Sequence, residues 1–205
     1  MFTGIITHLG KITSINHVSS KDSKITIALP KNTVKKKLKI GCSIACEGVC
    51  LTLVEQTFVK ENINLSFYAS KETCDLTTLK NIKKNQQVNI EFSLKLGDEL
   101  GGHLVLGHID QTTKITDIQT IKDSWIFTFA TTQNIEKFIA KKGSITINGV
   151  SLTVNEVANK SFKVNIIKHT FDNTTFKNLE INDLVNIEID VIARYVLNAT
   201  INNKK

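Results

Sequence analysis

Thiols, hydroxyls and imidazoles are the side chains of this chain that could do chemistry. Three of its four cysteines, Cys42, Cys46 and Cys50, recur at every fourth position. The segment around them is rich in Ile, Val and Thr, so it is predicted to be strand, where this spacing puts successive thiols about 13 Å apart. One ion could not be shared along such a strand, so we predict no metal site.

The positions of interest stand out because the chain repeats itself. Cys50 aligns with Ser151, so both halves carry a potentially nucleophilic atom at the same place. Ile5 aligns with His108, so the second half alone carries an imidazole there, and imidazole titrates near neutral pH. The aligned blocks are 4–15 with 107–118, 43–55 with 144–156, 71–81 with 168–178 and 88–91 with 185–188.

Two β-rich units must position these residues. Short β-branched or alternating runs recur through each half, and their spacing favours a small closed barrel over an alternating βαβ sheet. The glycine-rich segment 97–102 is the best linker signal. We therefore predict an all-β fold of two tandem six-stranded antiparallel β-barrels, over residues 1–97 and 98–190. The predicted strands are 11–16, 24–28, 43–47, 50–55, 62–69, 87–92, 114–118, 125–130, 144–148, 151–156, 162–167 and 184–189.

A helix is predicted after the second barrel, within residues 191–205. Ile192, Tyr195, Val196 and Ala199 fall at helical spacing, with no glycine among them. The pattern leaves two roles open, a strut packed on its own barrel or an oligomerisation helix.

Composition limits the class of protein. No apolar run approaches the roughly 20 residues that cross a bilayer, and the start lacks signal-peptide features, so we expect a soluble, cytoplasmic protein. The formal charge of +7 raises the possibility of nucleic acid. However, Arg194 is the only arginine, so the planar group that clamps phosphates is almost absent. A solvated lysine-rich surface is therefore favoured.

Three motifs together resemble the riboflavin synthase family. They are the start Met-Phe-Thr-Gly-Ile, the pair Gly-Val-Cys-Leu-Thr at 48–52 and Gly-Val-Ser-Leu-Thr at 149–153, and Gly-Gly-His-Leu-Val-Leu-Gly-His at 101–108. The resemblance runs from Met1 to about Asp190. It implies a homotrimer in which the N-terminal barrel of one subunit faces the C-terminal barrel of its neighbour, with the C-terminal helices around the trimer axis.

The reaction implied by the resemblance is the last step of riboflavin biosynthesis. Two molecules of 6,7-dimethyl-8-ribityllumazine dismutate by transfer of a four-carbon unit, which gives riboflavin and 5-amino-6-(ribitylamino)uracil. No cofactor is implied, because donor and acceptor are the same compound. Two copies of one ligand need two similar pockets, which a duplicated barrel supplies, and holding them in reacting contact can contribute roughly 7 to 11 kcal/mol.

The resemblance also implies which residues do this. Cys50, His108 and Ser151 are the predicted catalytic residues, with His108 removing a proton from the 7-methyl group of the substrate. His103 is interpreted as structural, and Lys142 as reaching a neighbour's site. The other predicted binding residues, beside these catalytic three and Lys142, are Gly4, Ile5, Ile6, Ser43, Leu51, Thr52, Tyr68, Ala69, Ser70, Lys71, Glu72 and Thr73 for the first barrel, and Gly107, Ile109, Leu152, Thr153, Asn165, Ile166, Ile167, Lys168, His169 and Thr170 for the second.

The sequence departs from the family pattern at three of these positions. Tyr68 stands where the family usually has an acidic residue, and Lys71 and Lys168 stand where proline is common. The first departure concerns the polyol contacts of that site, whereas the lysines concern only a turn.

Two other functions compete with the enzyme. Lumazine proteins of luminous bacteria share the implied fold and bind the same compound as an optical antenna, but an antenna needs only a ring pocket and no Cys50, Ser151 and His108. A basic barrel that binds single-stranded nucleic acid would interleave stacking aromatics with basic residues. Aromatic residues make up only 6% of the chain and show no such interleaving.

Overall fold

The computed structural model describes residues 1–18, 22–34 and 37–202. Twelve strands and four helices are found there. The strands are β1 (His8–His17), β2 (Asp22–Pro30), β3 (Ser43–Cys46), β4 (Val49–Val59), β5 (Asn62–Ser70), β6 (Gln87–Phe92), β7 (Gln111–Ile121), β8 (Ser124–Ala130), β9 (Ser144–Ile147), β10 (Val150–Ala158), β11 (Ser161–Ile167) and β12 (Leu184–Ile189). The helices are α1 (Lys71–Leu76), α2 (Gln133–Glu136), α3 (Lys168–Asn173) and α4 (Val191–Asn202), with 3₁₀ turns at Lys31–Thr33, Thr78–Asn81 and Thr175–Asn178.

The strands form two closed antiparallel barrels with the same connectivity. The first has the order β1-β2-β5-β4-β3-β6 and the second the order β7-β8-β11-β10-β9-β12. Each predicted strand overlaps an observed one, so the predicted fold class is confirmed. Closure pairs every strand on both sides and leaves no free sheet edge. No helix in the described ranges is long and apolar enough to span a membrane.

Side-chain alternation along the strands separates the core from the outer wall. In β4, Leu51 and Leu53 are buried, whereas Cys50 is half-buried and Thr52 is exposed. This alternation arises because successive strand residues point to opposite faces, whereas β6 and β12 are buried on both faces. The nucleophile candidates therefore lie on the outside of the barrel wall.

The short helices α1 and α3 were not predicted. Six residues are too few to show a helical period, so their signal is only local. The hydroxyl of Ser70 accepts a hydrogen bond from the Thr73 nitrogen and caps α1. Each helix is followed by a 3₁₀ turn capped by a threonine, Thr77 in the first barrel and Thr174 in the second.

The C-terminal helix begins where it was predicted. Asp190 precedes it, and the Asp190 carboxylate accepts from the Ile192 nitrogen at 2.9 Å. Ile192, Tyr195 and Val196 remain 57%, 69% and 61% exposed, so they form an apolar face that the described residues do not cover. Residues 203–205 of the predicted helix and tail lie outside the described ranges.

The two barrels meet at a pair of facing β-turns. Gly48 follows β3 and Gly149 follows β9, with φ of 80° and 83°. A Cβ added to Gly48 would lie 2.6 Å from the Gly149 nitrogen, and one added to Gly149 would lie 2.8 Å from the Gly48 nitrogen. The turns pack so closely that neither position has room for a side chain.

Reciprocal hydrogen bonds surround these turns. The Asn89 side chain donates to Thr175 Oγ1 at 2.9 Å and accepts from the Thr175 nitrogen at 2.8 Å. Asn186 does the same with Thr78, at 2.9 Å and 2.8 Å. Each asparagine also donates to a backbone carbonyl in the turn of the other barrel. Each barrel therefore satisfies buried polar groups of the other.

One buried carboxyl breaks the symmetry of this interface. Glu47 occupies the position held by Asn148 in the second repeat, and its carboxylate accepts from the Asn89 nitrogen at 2.6 Å. Burial away from water raises the pKa of Glu47 to about 8, although the bonds from Asn89 and Thr175 favour the charged form. The folded protein therefore holds Glu47 protonated at neutral pH.

Replacing Glu47 by glutamine should remove a pH-dependent loss of stability. A carboxyl with a raised folded-state pKa contributes most at low pH, and that contribution is lost as pH rises from its unfolded value near 4.5 to about 8. Urea unfolding should show the advantage of Glu47→Gln over the wild type growing between pH 5 and pH 8, by roughly 3 kcal/mol. The exposed Glu61→Gln is the control, and an equal effect of pH on both variants would contradict the assignment.

Candidate active site

The segment that leads into each barrel contacts the other barrel. The Ser151 nitrogen donates to the Gly4 carbonyl at 2.8 Å, and the Cys50 nitrogen donates to the Gly107 carbonyl at 2.9 Å. Gly4 precedes the first barrel, whereas Ser151 belongs to the second; Gly107 precedes the second barrel, whereas Cys50 belongs to the first. The two leading segments are thus exchanged, and Phe2 pairs with Val105 where they cross.

A buried glutamate holds each leading segment against its own barrel. Glu91 accepts from the Thr3 nitrogen at 2.7 Å and the Gly4 nitrogen at 3.0 Å, and Glu188 accepts from the Leu106 and Gly107 nitrogens at 2.8 Å and 3.0 Å. Burial raises the pKa of both carboxyls, and the backbone N–H groups oppose that rise. The segments are fixed on one side by their own barrel and on the other by its partner.

Glycine is required where the exchanged segments touch the nucleophile strands. Gly4 and Gly107 both have φ of 77°. A Cβ would lie 2.5 Å from Ser151 Cβ at Gly4 and 2.6 Å from Cys50 Cβ at Gly107. Both the backbone conformation and the space therefore exclude other residues.

The exchange regroups the predicted binding residues. The sequence grouped 4–6 with the first barrel and 107–109 with the second, whereas the structure places each against the opposite nucleophile strand. We name the two sets the cysteine pocket, residues 50–52, 68–73 and 107–109, and the serine pocket, residues 151–153, 165–170 and 4–6. The pairs Leu53 with Phe67 and Val154 with Val164 bring the strand segments of each set side by side.

His103, which the sequence analysis interprets as structural, has two hydroxyl partners in the structure. It is buried, its Nδ1 lies 2.7 Å from Ser151 Oγ, and its Nε2 lies 3.1 Å from Thr146 Oγ1. Burial lowers the pKa of His103, which the carboxylate of Asp190 partly offsets. A neutral imidazole in this place can accept the hydroxyl proton of Ser151 while it donates to Thr146.

His108 belongs to the cysteine pocket. It directly follows Gly107, is exposed, and lines a cavity of about 380 Å³ together with Glu188, Arg194 and Tyr195. Arg194 lies 2.7 Å from the Asp110 carboxylate, which also accepts from the Ile189 nitrogen at 2.9 Å. The first turn of α4 is thereby tied to the segment that carries His108.

Three predicted binding residues are described individually: Ser43, Tyr68 and Lys142. Ser43 pairs across from Thr52 beside the cysteine pocket, and Tyr68 is half exposed one residue beyond Phe67. Lys142 is exposed and its backbone nitrogen donates to Val154, so its reach into a neighbour's site remains a prediction. No group of three or more His, Cys, Asp or Glu side chains that could hold a metal is found among the described residues.

The two closed barrels and their match to a family model define a class of protein, the tandem lumazine-binding barrels. The family model for the lumazine binding domain matches residues 3–93 and 106–190. Among solved structures, LumP complexed with riboflavin matches with a TM-score of 0.82 at 23% identity, over 92% of this chain and 99% of that one. LumP complexed with 6,7-dimethyl-8-(1'-D-ribityl) lumazine matches with a TM-score of 0.79, also at 23% identity, over 92% and 98%. These likenesses show the fold.

Curated sequences are similar over nearly the whole chain. Riboflavin synthase of Brucella abortus (strain 2308) is 39% identical over 198 residues, which cover 95% of this chain and 96% of the relative. Riboflavin synthase of Photobacterium phosphoreum is 38% identical, over 96% and 87%, and that of Escherichia coli (strain K12) is 37% identical, over 93% and 87%. The chain belongs to the riboflavin synthase family.

The exchange predicts that a methyl group on each leading segment damages the opposite pocket. Gly4→Ala should weaken lumazine binding in the serine pocket about tenfold, and Gly107→Ala should do so in the cysteine pocket, since a left-handed residue costs about 1 to 2 kcal/mol. The extent of Cys50 alkylation, measured by mass spectrometry, reports whether the cysteine pocket is occupied. Bound lumazine should still protect the Cys50 thiol from alkylation in Gly4→Ala, but not in Gly107→Ala. Gly97→Ala, with positive φ but open space, is the control. The reverse protection pattern would restore the sequence-based grouping.

Proposed function

We propose that this chain is a riboflavin synthase that converts two molecules of 6,7-dimethyl-8-ribityllumazine into riboflavin and 5-amino-6-(ribitylamino)uracil. The observation that carries the proposal is the pair of equivalent contacts from Cys50 to Gly107 and from Ser151 to Gly4, which have unlike reactive groups: Cys50 at one, and Ser151 with His103 at the other. Two similar sites suit two copies of one ligand. The different reactive side chains can give the two ligand molecules different roles, one as donor and the other as acceptor. Membership in the family supports the same reaction.

The residues of the two pockets would bind and orient the substrate. Strand backbone groups suit the edge of the pteridine ring, and Gly4 and Gly107 let the leading segments approach the nucleophile strands closely. The hydroxyls of Thr52 and Thr153, on the outside of the walls, suit the ribityl chain. His108 would remove the proton from the 7-methyl group. Because one ligand loses the four-carbon unit that the other gains, no redox cofactor is needed.

The serine pocket has a further reactive feature. Because its proton can be drawn towards His103, the Ser151 hydroxyl is a better nucleophile than a serine hydroxyl without such a base, and it could add to an electron-poor ring. Thr146 fixes the imidazole from the other side at 3.1 Å.

The assembly that would bring two pockets together is a cytoplasmic homotrimer. The apolar face of Ile192, Tyr195 and Val196 supports assembly through α4, because the described part of the chain leaves it exposed. Stacking two ligands face to face would then pair the N-terminal barrel of one subunit with the C-terminal barrel of its neighbour, where Lys142 would also contribute. Arg194 would hold α4 to its own barrel, so the helix serves both as strut and as contact.

The purified protein should be incubated with 6,7-dimethyl-8-ribityllumazine alone. We expect one riboflavin for every two equivalents consumed, at a rate proportional to protein and without added cofactor. Binding with altered fluorescence but no riboflavin from a folded protein would indicate an antenna instead. No interaction with the ligand would indicate a barrel of another kind.

His108→Ala should lower turnover by roughly 100-fold or more, which is the usual effect of a lost general acid or base. Ligand binding should change little, because the pocket walls remain. Exchange of the 7-methyl protons with solvent is the direct measurement. If exchange and turnover both persist in the variant, His108 does not move this proton.

Removing the chain after Asp190 should leave folded barrels but destroy the trimer and most activity. The variant loses the apolar face of α4, so the subunits lose their shared contact. Sedimentation and circular dichroism measure assembly and folding separately. A truncated protein that still sediments as a trimer would show that the barrels alone assemble.

A further inference from the structure

The two barrels differ in the space between the short helix and the barrel wall. In the second barrel, Trp125 on β8 stacks on Phe171 of α3, with ring centroids 3.7 Å apart and planes 6° from parallel. Behind them, Phe176 meets Phe127 edge-on at 5.2 Å. These four rings fill the space and hold α3 against the sheet.

The first barrel has small residues where that stack stands. Ser23 pairs with Ala69 as Trp125 pairs with Ile166, so serine takes the place of tryptophan. Cys74 takes the place of Phe171 in the aligned repeat. The helix α1 lies where α3 does, so the missing rings leave a cavity of about 380 Å³ in the first barrel.

The lining of this cavity has an apolar floor and a polar edge. Its floor is formed by Ile15, Ile25, Leu79 and Ile82. At its edge, Ser23 Oγ lies 3.0 Å from His17 Nδ1, and Ser23 also hydrogen-bonds the Cys74 thiol, whose pKa burial raises. Lys71 and Lys80 line the cavity too, and both pair with Asp75 of α1.

We propose that this cavity is a binding site for a flat heteroaromatic molecule of about the size of indole. Its shape follows from the two stacked rings that occupy the same place in the second barrel, and a planar ring would lie between β2 and α1 as Trp125 and Phe171 lie between β8 and α3. The aliphatic floor takes the ring face. The hydroxyl of Ser23 and the imidazole of His17 take a ring nitrogen at the edge.

Occupation of the cavity would also act on the cysteine pocket. The helix α1 carries residues 71–73 of that pocket, and Cys74 follows them directly. A ring against Cys74 would hold α1 to the wall as Phe171 holds α3, so the ligand-contacting residues would lose less freedom on binding lumazine. This coupling rests on the proposed function, whereas the cavity site does not.

Indole is the probe for the site. Isothermal titration of the wild-type protein should show one indole per chain at millimolar affinity. The double variant Ser23→Trp/Cys74→Phe, which rebuilds the stack of the second barrel, should bind indole at least tenfold more weakly. Cys74→Ser, which leaves the cavity open, is the matched control and should bind as the wild type does. If the double variant does not fold, Ser23→Trp and Cys74→Phe are tested singly.

Three results would overturn the site: no indole binding to the wild type up to the solubility of indole, equal binding to the filled variant, or competitive displacement by 6,7-dimethyl-8-ribityllumazine, which would place indole in a substrate pocket. Saturating indole should tighten lumazine binding about fivefold in the wild type but not in the filled variant. An unchanged lumazine affinity would overturn the coupling. None of these measurements uses riboflavin formation, so they stand apart from a failure of the proposed reaction.

Discussion

The close approach of two glycines to two nucleophile strands is the constraint on which the site depends. Gly4 and Gly107 each give one carbonyl to the strand of the opposite barrel, and a side chain at either would overlap Ser151 or Cys50. This contact sets each leading segment against the nucleophile strand of the other half of the chain, and His108 directly follows one of the two glycines. The facing turns at the barrel interface keep the barrels at the separation that the contact needs.

Differences between the repeats have accumulated on this near-symmetric frame. Glu47 replaces an asparagine at the interface, His103 contacts a nucleophile in one pocket alone, and a ring stack in one barrel is a cavity in the other. The backbone tolerates these changes because they replace side chains on walls that both barrels share. A reaction between two copies of one molecule needs such inequality, since one copy must give what the other receives.

The fold could be predicted because the alternating pattern of each strand is local in the sequence, and because the same series of strands occurs in both repeats. Each barrel independently showed alternating strands in the same order, so an error in one half would have conflicted with the other. The exchange of leading segments could not be predicted, because nothing near Gly4 indicates which barrel it will touch. The hydrogen bonds of His103 could not be predicted for a similar reason, since its hydroxyl partners are distant in sequence.

The exchanged segments also bear on how such a chain could arise. A single barrel with its own leading arm, paired with a second copy by trading arms, would make two identical pockets without any linker. Joining the two copies end to end preserves those contacts, because each arm already lies on its neighbour. The present protein has the form of a fused arm-swapped dimer. If the chain were cut between its two halves, each half could form a full pocket only by associating with the other half or with a second copy of itself.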